Sequence, residues 1–417
     1  MDLLRFATAG SVDDGKSTLI GRLLHDTGAI PDDLMSAVEL AGQRRGEKEL
    51  NLALFTDGLR AEREQGITID VAYRYFSTPE RKFILADSPG HVQYTRNMVT
   101  AISNVSLVIL MVDALRGITE QTKRHACLSA IFGIRHLIVC VNKMDLVSYS
   151  EPVFNNIKAG LGSFLESLHI PDVRFVPVSA LKGDNIANSG TAMPWYSGNT
   201  LLSVLENTTP QSDNNYTEGR LPIQGVIRNP DAAADSRFFS GRIAGGIWKP
   251  GDRITVLPSG ALTKIKSIYS AGTAVSEAFP QMSVSISTET ETDISRGDML
   301  ALTGTEPILS RDFDVMLCWL DRAAYNPVGR LLLKHCSTEA KVAIREIKHK
   351  TDISSLTPIL NSPGLNMNDI ALVSLRSSKP LCLDTFNDNR ITGSLILIDE
   401  ATNNTVAACI VVKTNIE

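Results

Sequence analysis

The stretch Gly10-Ser-Val-Asp-Asp-Gly-Lys16-Ser17 limits this chain more than any other. It fits G-x-x-x-x-G-K-[ST], a loop whose backbone N–H groups cradle phosphates. The apolar run Leu3 to Ala9 before it predicts a short strand, and Leu19, Leu23 and Leu24 after it share one helical face. A glycine-rich turn between strand and helix gathers N–H donors at the positive end of the helix, where phosphate oxygens are favoured. Lys16 is placed to reach the β- and γ-phosphates of a nucleotide, and the Ser17 hydroxyl to ligate Mg²⁺. Gly10, Asp13, Gly15, Lys16, Ser17 and Thr18 are therefore the candidate nucleotide-binding residues of this loop. A chance glycine turn is the alternative for the motif taken alone.

With 417 residues the chain has material for two to four domains. It is 43% apolar and 21% charged, as an ordinary soluble protein is. A net charge of −5 weighs against broad binding to nucleic acid or to an anionic membrane surface. No apolar run approaches the roughly 20 residues that cross a bilayer. The phosphate loop begins at Gly10, so no secretory leader is expected. The six cysteines are scattered without a C-x-x-C pair, which suits reduced, buried thiols and a cytoplasmic location.

Residues 1 to 208 alternate apolar runs with helical patterns. The runs 82–86, 106–112, 136–141 and 173–178 are continuously apolar, as strands buried on both faces are. Helical stretches at 119–132 and 155–168 lie between them, which predicts a mostly parallel sheet with helices on both sides. Residues 209–220 are polar and read as a linker. Beyond them come short strand candidates at 223–227, 242–247, 253–257, 262–268 and 283–286, with barrel-like spacing. A second all-β stretch holds candidates at 314–320, 338–347, 369–375 and 393–398. The predicted fold is thus an α/β phosphate-loop domain (1–208) followed by two all-β barrels, 221–306 and 307–417.

Further motifs follow the apolar strands in order. After 82–86 comes Asp87-Ser-Pro-Gly90, where Asp87 is placed to hold Mg²⁺ through water and the Gly90 N–H to meet a γ-phosphate. Upstream, Thr68 offers a hydroxyl to the metal and a carbonyl to the attacking water, in a segment that a γ-phosphate orders. After 136–141 comes Asn142-Lys-Met-Asp145. A carboxylate at Asp145 accepts the N1–H and N2–H of guanine, a donor pair that adenine lacks, so GTP is selected and ATP penalised. Asn142 and Lys143 brace that loop and stack along the base. After 173–178 comes Ser179-Ala-Leu181, whose backbone N–H recognises guanine O6. His91 follows Gly90 and is placed to orient the hydrolytic water, with plain packing as the alternative. Lys16, Thr68 and His91 are the candidate catalytic residues, and Ser17, Thr68 and Asp87 the candidate metal ligands. No arginine stands out in the sequence as one supplied in cis, so slow intrinsic hydrolysis is expected.

Asp87-Ser-Pro-Gly-His91, Arg63-Glu-Gln-Gly-Ile-Thr68 and Asn142-Lys-Met-Asp145 resemble the translation-factor group of GTPases, as does the order G domain, barrel, barrel. Within that group the chain is similar to the GTPase subunit of bacterial sulfate adenylyltransferases. The similarity lies in the phosphate loop with Ser11 and Asp14 where translational members carry His, in the run Asp57 to Phe76, in Gln93 to Met98 and in the segment Gly393 to Ala407. Ser88 and Val92 depart from that group, where Thr and Glu are usual.

The resemblance implies GTP/GDP and Mg²⁺ as ligands and a heteromeric assembly with a separate catalytic subunit. That subunit joins ATP and sulfate into adenosine 5′-phosphosulfate, driven by GTP hydrolysis here, in sulfate assimilation. Residues 62–70 and 91–96 are the expected docking surface. With no second phosphate loop beyond Ser17, no fused adenylylsulfate kinase is expected. The competing expectation is an elongation-factor-like protein that delivers aminoacyl-tRNA.

Overall fold

The computed structural model describes residues 2–33, 35–36, 52–55, 70–209, 214–228, 237–360, 362 and 364–414. The chain divides into two compact units, one of residues 1–211 with 353–355 and one of residues 212–352 with 356–417, which holds nearly all of both all-β parts.

In the first unit, β1 (Leu3–Ala9), β2 (Ala72–Ser77), β3 (Lys82–Asp87), β4 (Leu107–Asp113), β5 (His136–Asn142) and β6 (Asp172–Pro177) form one sheet in the order β2-β3-β1-β4-β5-β6. Only β2 runs antiparallel. Among the described residues five helices join in: α1 (Lys16–Asp26), α2 (Thr95–Ile102), α3 (Glu120–Ile131), α4 (Glu151–Ser167) and α5 (Leu201–Asn207). All seven residues of β4 are buried, which is why its sequence shows no alternation. Leu19, Ile20, Leu23 and Leu24 of α1 pack on Phe6, Phe83, Leu85 and Met111 of the sheet. Phe76 and Phe83 stack at 4.7 Å between ring centroids, and Phe6 meets both edge-on. The chain leaves β1 to build β3 on one flank and β4 on the other. The end of β1 therefore sits where the strand order reverses, the crevice in which such sheets bind ligands.

The helix expected from residue 155 starts four residues earlier, at Glu151. Pro152 lies in its first turn, where a missing N–H is harmless.

In the second unit, β7 (Arg220–Arg228), β8 (Arg237–Arg242), β9 (Arg253–Leu257), β10 (Ala261–Ser270), β11 (Thr273–Val275), β12 (Ser283–Thr288) and β13 (Met299–Leu302) form one antiparallel sheet. Pairing of β9 with β10 closes it into a barrel around Ile223, Phe239, Trp248, Ile254 and Ile286. The second sheet holds β14 (Ile308–Trp319), β15 (Leu331–His335), β16 (Thr338–Thr351), β17 (Pro358–Ile359), β18 (Ile370–Leu383), β19 (Ser394–Asp399) and β20 (Thr405–Thr414). Pairing of β15 with β16 closes it. The expected strand 242–247 is a correction: β8 ends at Arg242, and Gly246 turns the chain at φ 78°. Ile243, Ala244 and Trp248 beyond it are core all the same, while Ile247 is exposed; Trp248 donates its indole N–H to the Gly245 carbonyl at 2.7 Å.

The two barrels meet through polar groups beside a small apolar cluster of Leu257, Met299 and Ala301 with Cys382. Arg220, 2% exposed, sends Nε and Nη2 to the two carboxylate oxygens of Asp384, each at 2.9 Å. Thr392 also donates to Asp384, and Asn389 Nδ2 to the Ala244 carbonyl at 3.0 Å.

Candidate functional site

The phosphate loop links β1 to α1, and its glycines are required by contact. Gly15, the residue before α1, sits at φ 91°, and a Cβ there would collide with the Asn142 amide. A Cβ on Gly90 would collide with Lys16 Nζ and the Gly10 carbonyl. Lys16 is buried inside the loop, where Nζ donates to the carbonyls of Gly10 at 3.0 Å and Ser11 at 2.8 Å. Burial pulls the Lys16 pKa below its usual value, while Asp87, Asp14 and Asp13 oppose that shift. The ammonium is thus held by carbonyls of its own loop, with three carboxylates near it. Asp14 is buried, and its carboxylate accepts the Ser11 N–H, which closes the loop on itself. Burial raises its pKa against the pull of Lys16.

Parallel register brings the other motifs to the same end of the sheet. Thr8 is level with Asp87, and Asp113 with Asn142. Asp87 is 2% exposed and accepts the Thr8 hydroxyl at 3.3 Å. Ser88 donates to the Thr8 carbonyl, which fixes the turn that carries Gly90. Ser17 is half-buried in the first turn of α1, as is Thr18. Ser17 and Asp87 are oxygen donors only, the set that suits a hard cation such as Mg²⁺. Thr68, the third expected ligand, lies outside the described residues, as do residues 62–69 of the expected docking surface. His91 is exposed, with its ring 6.3 Å from that of Tyr94.

Asn142 joins two loops through one side chain. Its Nδ2 donates to the Asp14 carbonyl at 2.8 Å, and its Oδ1 accepts the Ala180 N–H at 2.9 Å. Lys143, at φ 63°, extends to Asp113 with 2.7 Å between Nζ and Oδ2. Burial works against the Asp113 charge, but Lys143 and the Leu115 N–H overcome it and hold the pKa low. Asp145 accepts the Ser179 hydroxyl at 2.6 Å, and Met144 N–H meets the Val178 carbonyl at 3.2 Å. Arg22 of α1 donates to the Ala180 carbonyl at 3.2 Å and to that of Leu181 at 2.5 Å. Lys16, Asp87, Gly90, Asn142, Lys143, Asp145, Ser179, Ala180 and Leu181 thus line the ends of consecutive strands.

Sequence reasoning passed over Asp113, Arg22 and Arg116. Asp113 carried a usable signal, since it ends a buried strand as Asp87 and Asn142 do. Arg22 and Arg116 had none. Their partners lie 158 and 104 positions away, and only folding brings them together.

Among the described residues, no group of three or more His, Cys, Asp or Glu could hold a metal. No described helix is long and apolar enough to cross a membrane.

Residues 1–211 match the family model described as the elongation factor Tu GTP binding domain. Residues 312–412 match the model described as GTP-eEF1A C-terminal domain-like. The chain is 47% identical over 413 residues to the bifunctional enzyme CysN/CysC of Mycobacterium tuberculosis, covering 99% of this chain and 67% of that protein. It is 46% identical over 413 residues to sulfate adenylyltransferase subunit 1 of Bacteroides fragilis, covering 99% and 86%. It is 47% identical over 416 residues to sulfate adenylyltransferase subunit 1 of Chromobacterium violaceum, again covering 99% and 86%.

Proposed function

The chain belongs to the elongation factor Tu-type GTP-binding family and, within it, to the sulfate adenylyltransferase subunit 1 group; from that premise we propose how its residues serve a GTP-hydrolysing subunit. GTP sits with its phosphates in the loop Gly10 to Thr18. Lys16 neutralises the β- and γ-oxygens, and Asp13 and Gly15 present backbone N–H groups. Asp145 accepts the guanine N1–H and N2–H, Lys143 flanks the base, and the 179–181 backbone meets O6. Ser17, Asp87 and Thr68 would hold Mg²⁺, which would spread the charge that builds on the phosphates. Gly90 meets the γ-phosphate, and His91 orients the water that attacks it. The proposed domain division is 1–208, a linker at 209–220 whose last residue, Arg220, already opens β7, then barrels at 221–306 and 307–417.

The observation that carries the nucleotide reading is Asn142, which bonds the phosphate loop and the Ala180 loop at once. Such a bridge fixes the spacing between the seats for a phosphate and a base.

The product that sulfate adenylyltransferases make carries a phosphate–sulfate anhydride, so its synthesis from ATP and sulfate runs uphill. The name subunit 1 implies a partner subunit. We assign ATP and sulfate to that partner and GTP hydrolysis to this chain. Coupling requires the partner to bind the GTP-ordered surface better than the GDP-relaxed one. Residues 62–70 and 91–96 are the proposed surface. Nearly full-length similarity to the subunit 1 relatives favours this role over aminoacyl-tRNA delivery. The test mixes the chain with a purified catalytic subunit and follows adenosine 5′-phosphosulfate with and without GTP. Synthesis that rises with GTP and stops with GDP is expected. Synthesis indifferent to GTP, or GTP binding without any effect on a partner, overturns the proposal.

A further inference from the structure

The loop between β4 and α3 carries a cation to the outside of the phosphate loop. Arg116 Nη1 donates to the Val12 carbonyl at 3.1 Å, and Nη2 lies 3.4 Å from Asp13 Oδ2. Neither contact is a device for stability. The two charged side chains are 51% and 65% exposed, and exposed pairs contribute about 0–1 kcal/mol. Yet the loop that brings Arg116 there is fixed at both ends. Asp113 holds Lys143 and accepts the Leu115 N–H at 2.8 Å. At the other end Thr119, which caps α3 in a reciprocal bond with Thr122, lies 3.0 Å from the Ser11 hydroxyl. Asp13 itself sits at φ 68°, in the left-handed region that few residues with a Cβ adopt. Val12 and Asp13, the latter in the left-handed region, form the crest of the phosphate loop, and one guanidinium grasps both.

We propose that Arg116 is a positioning residue supplied in cis for phosphoryl transfer. It clamps the crest at the Val12 carbonyl and the Asp13 carboxylate, so that the N–H groups of the loop stay aimed where charge gathers. In that transfer the water oxygen bonds to the γ-phosphorus, and the bond from phosphorus to the β–γ bridging oxygen breaks. The electron pair of that bond leaves with GDP, and the water proton ends on the released phosphate. Arg116 exchanges no proton, because a guanidinium stays charged throughout. Its planar fork reaches two acceptors at once, which a lysine cannot do. The inference rests on the nucleotide seat proposed above, and it supplies the arginine that the sequence alone did not single out.

The test uses the full chain and its variants Arg116→Ala and Arg116→Lys. Single-turnover GTP hydrolysis, affinity for fluorescent GDP and the thermal midpoint are read on each. Arg116→Ala is expected to slow hydrolysis by about 10- to 100-fold, the effect of a small misplacement at a reacting centre. GDP affinity stays within about threefold and the midpoint is unchanged, as expected for an exposed pair. Arg116→Lys recovers part of the rate. Unchanged hydrolysis in Arg116→Ala overturns the proposal. So does a GDP affinity that falls as far as the rate, since Arg116 would then be a plain binding cation. If the unaltered chain binds no guanine nucleotide, the nucleotide seat itself falls, and this inference with it.

Discussion

Asp145 shows how a single side chain can decide between nucleotides. One of its oxygens takes the Ser179 hydroxyl at 2.6 Å, so the carboxylate is oriented before any base arrives. A base lacking the matching donor pair leaves that carboxylate unpaired, and such mismatches discriminate strongly. Asp145→Asn is expected to weaken GTP binding by on the order of 100-fold and to gain xanthosine triphosphate, whose O2 accepts from the new amide. Titration with both nucleotides checks this, and retained GTP affinity removes Asp145 from the base site. His91 poses a different question, because it is exposed and its one described ring neighbour is Tyr94. His91→Ala is expected to slow hydrolysis by about 10²- to 10⁴-fold, the usual worth of a positioned polar group. Nucleotide affinity is expected to hold. An unchanged rate would assign the ring to packing.

At the scale of the element, α3 holds a histidine that the sequence gave no reason to notice. His125 is 1% exposed, and its ring Nε2 lies 2.8 Å from Gln121 Nε2. Burial, then the nearby charges of Lys16 and Arg124, push its pKa down to about 3. The unfolded chain takes up this proton below its ordinary value, whereas the folded chain resists it until about 3. The unfolded state therefore binds more protons between those values, and stability rises with pH across that window and is level above it. Acidification should remove up to about 1.4 kcal/mol per pH unit through this one group. In His125→Gln that part of the slope should vanish, as denaturant titrations at several pH values would show. A slope that is the same in both proteins would mean that His125 is protonated in the fold. The strands offer the contrast. Continuous apolar runs identified the parallel strands, because both of their faces are covered. The same signal is present in β20, where Val406 to Val412 is an unbroken and mostly buried apolar run, whereas β8 and β12 mix polar and apolar residues and blur into turns.

At the scale of the molecule, the joint between the barrels is the part least visible in the chain. Arg220 and Asp384 stand 164 positions apart, and nothing local marks either as buried. Removing one partner of a buried, bidentate pair strands a charge. Asp384→Ala is expected to destabilise the second unit by about 3–5 kcal/mol, and the paired change Arg220→Met with Asp384→Leu by far less. Calorimetry of the three proteins tests this. Equal losses in the single and paired variants would show that packing, not the stranded charge, sets the cost.

The sequence by itself determined the fold class, the G domain ahead of the barrels and the family, because each rests on short motifs or on periodicities read within a few residues. Phosphate-loop spacing, Asp87 to Gly90 and Asn142 to Asp145 are local signals, each closing an apolar strand. The tertiary structure alone decided which side chains serve more than one of these motifs. Asn142 reaches Asp14 across 128 positions and Arg116 reaches Val12 across 104. Those meetings depend on the register of a parallel sheet, which sets Asp113 level with Asn142 and Thr8 level with Asp87. Register is a property of paired strands, and no single strand carries it in its own residues.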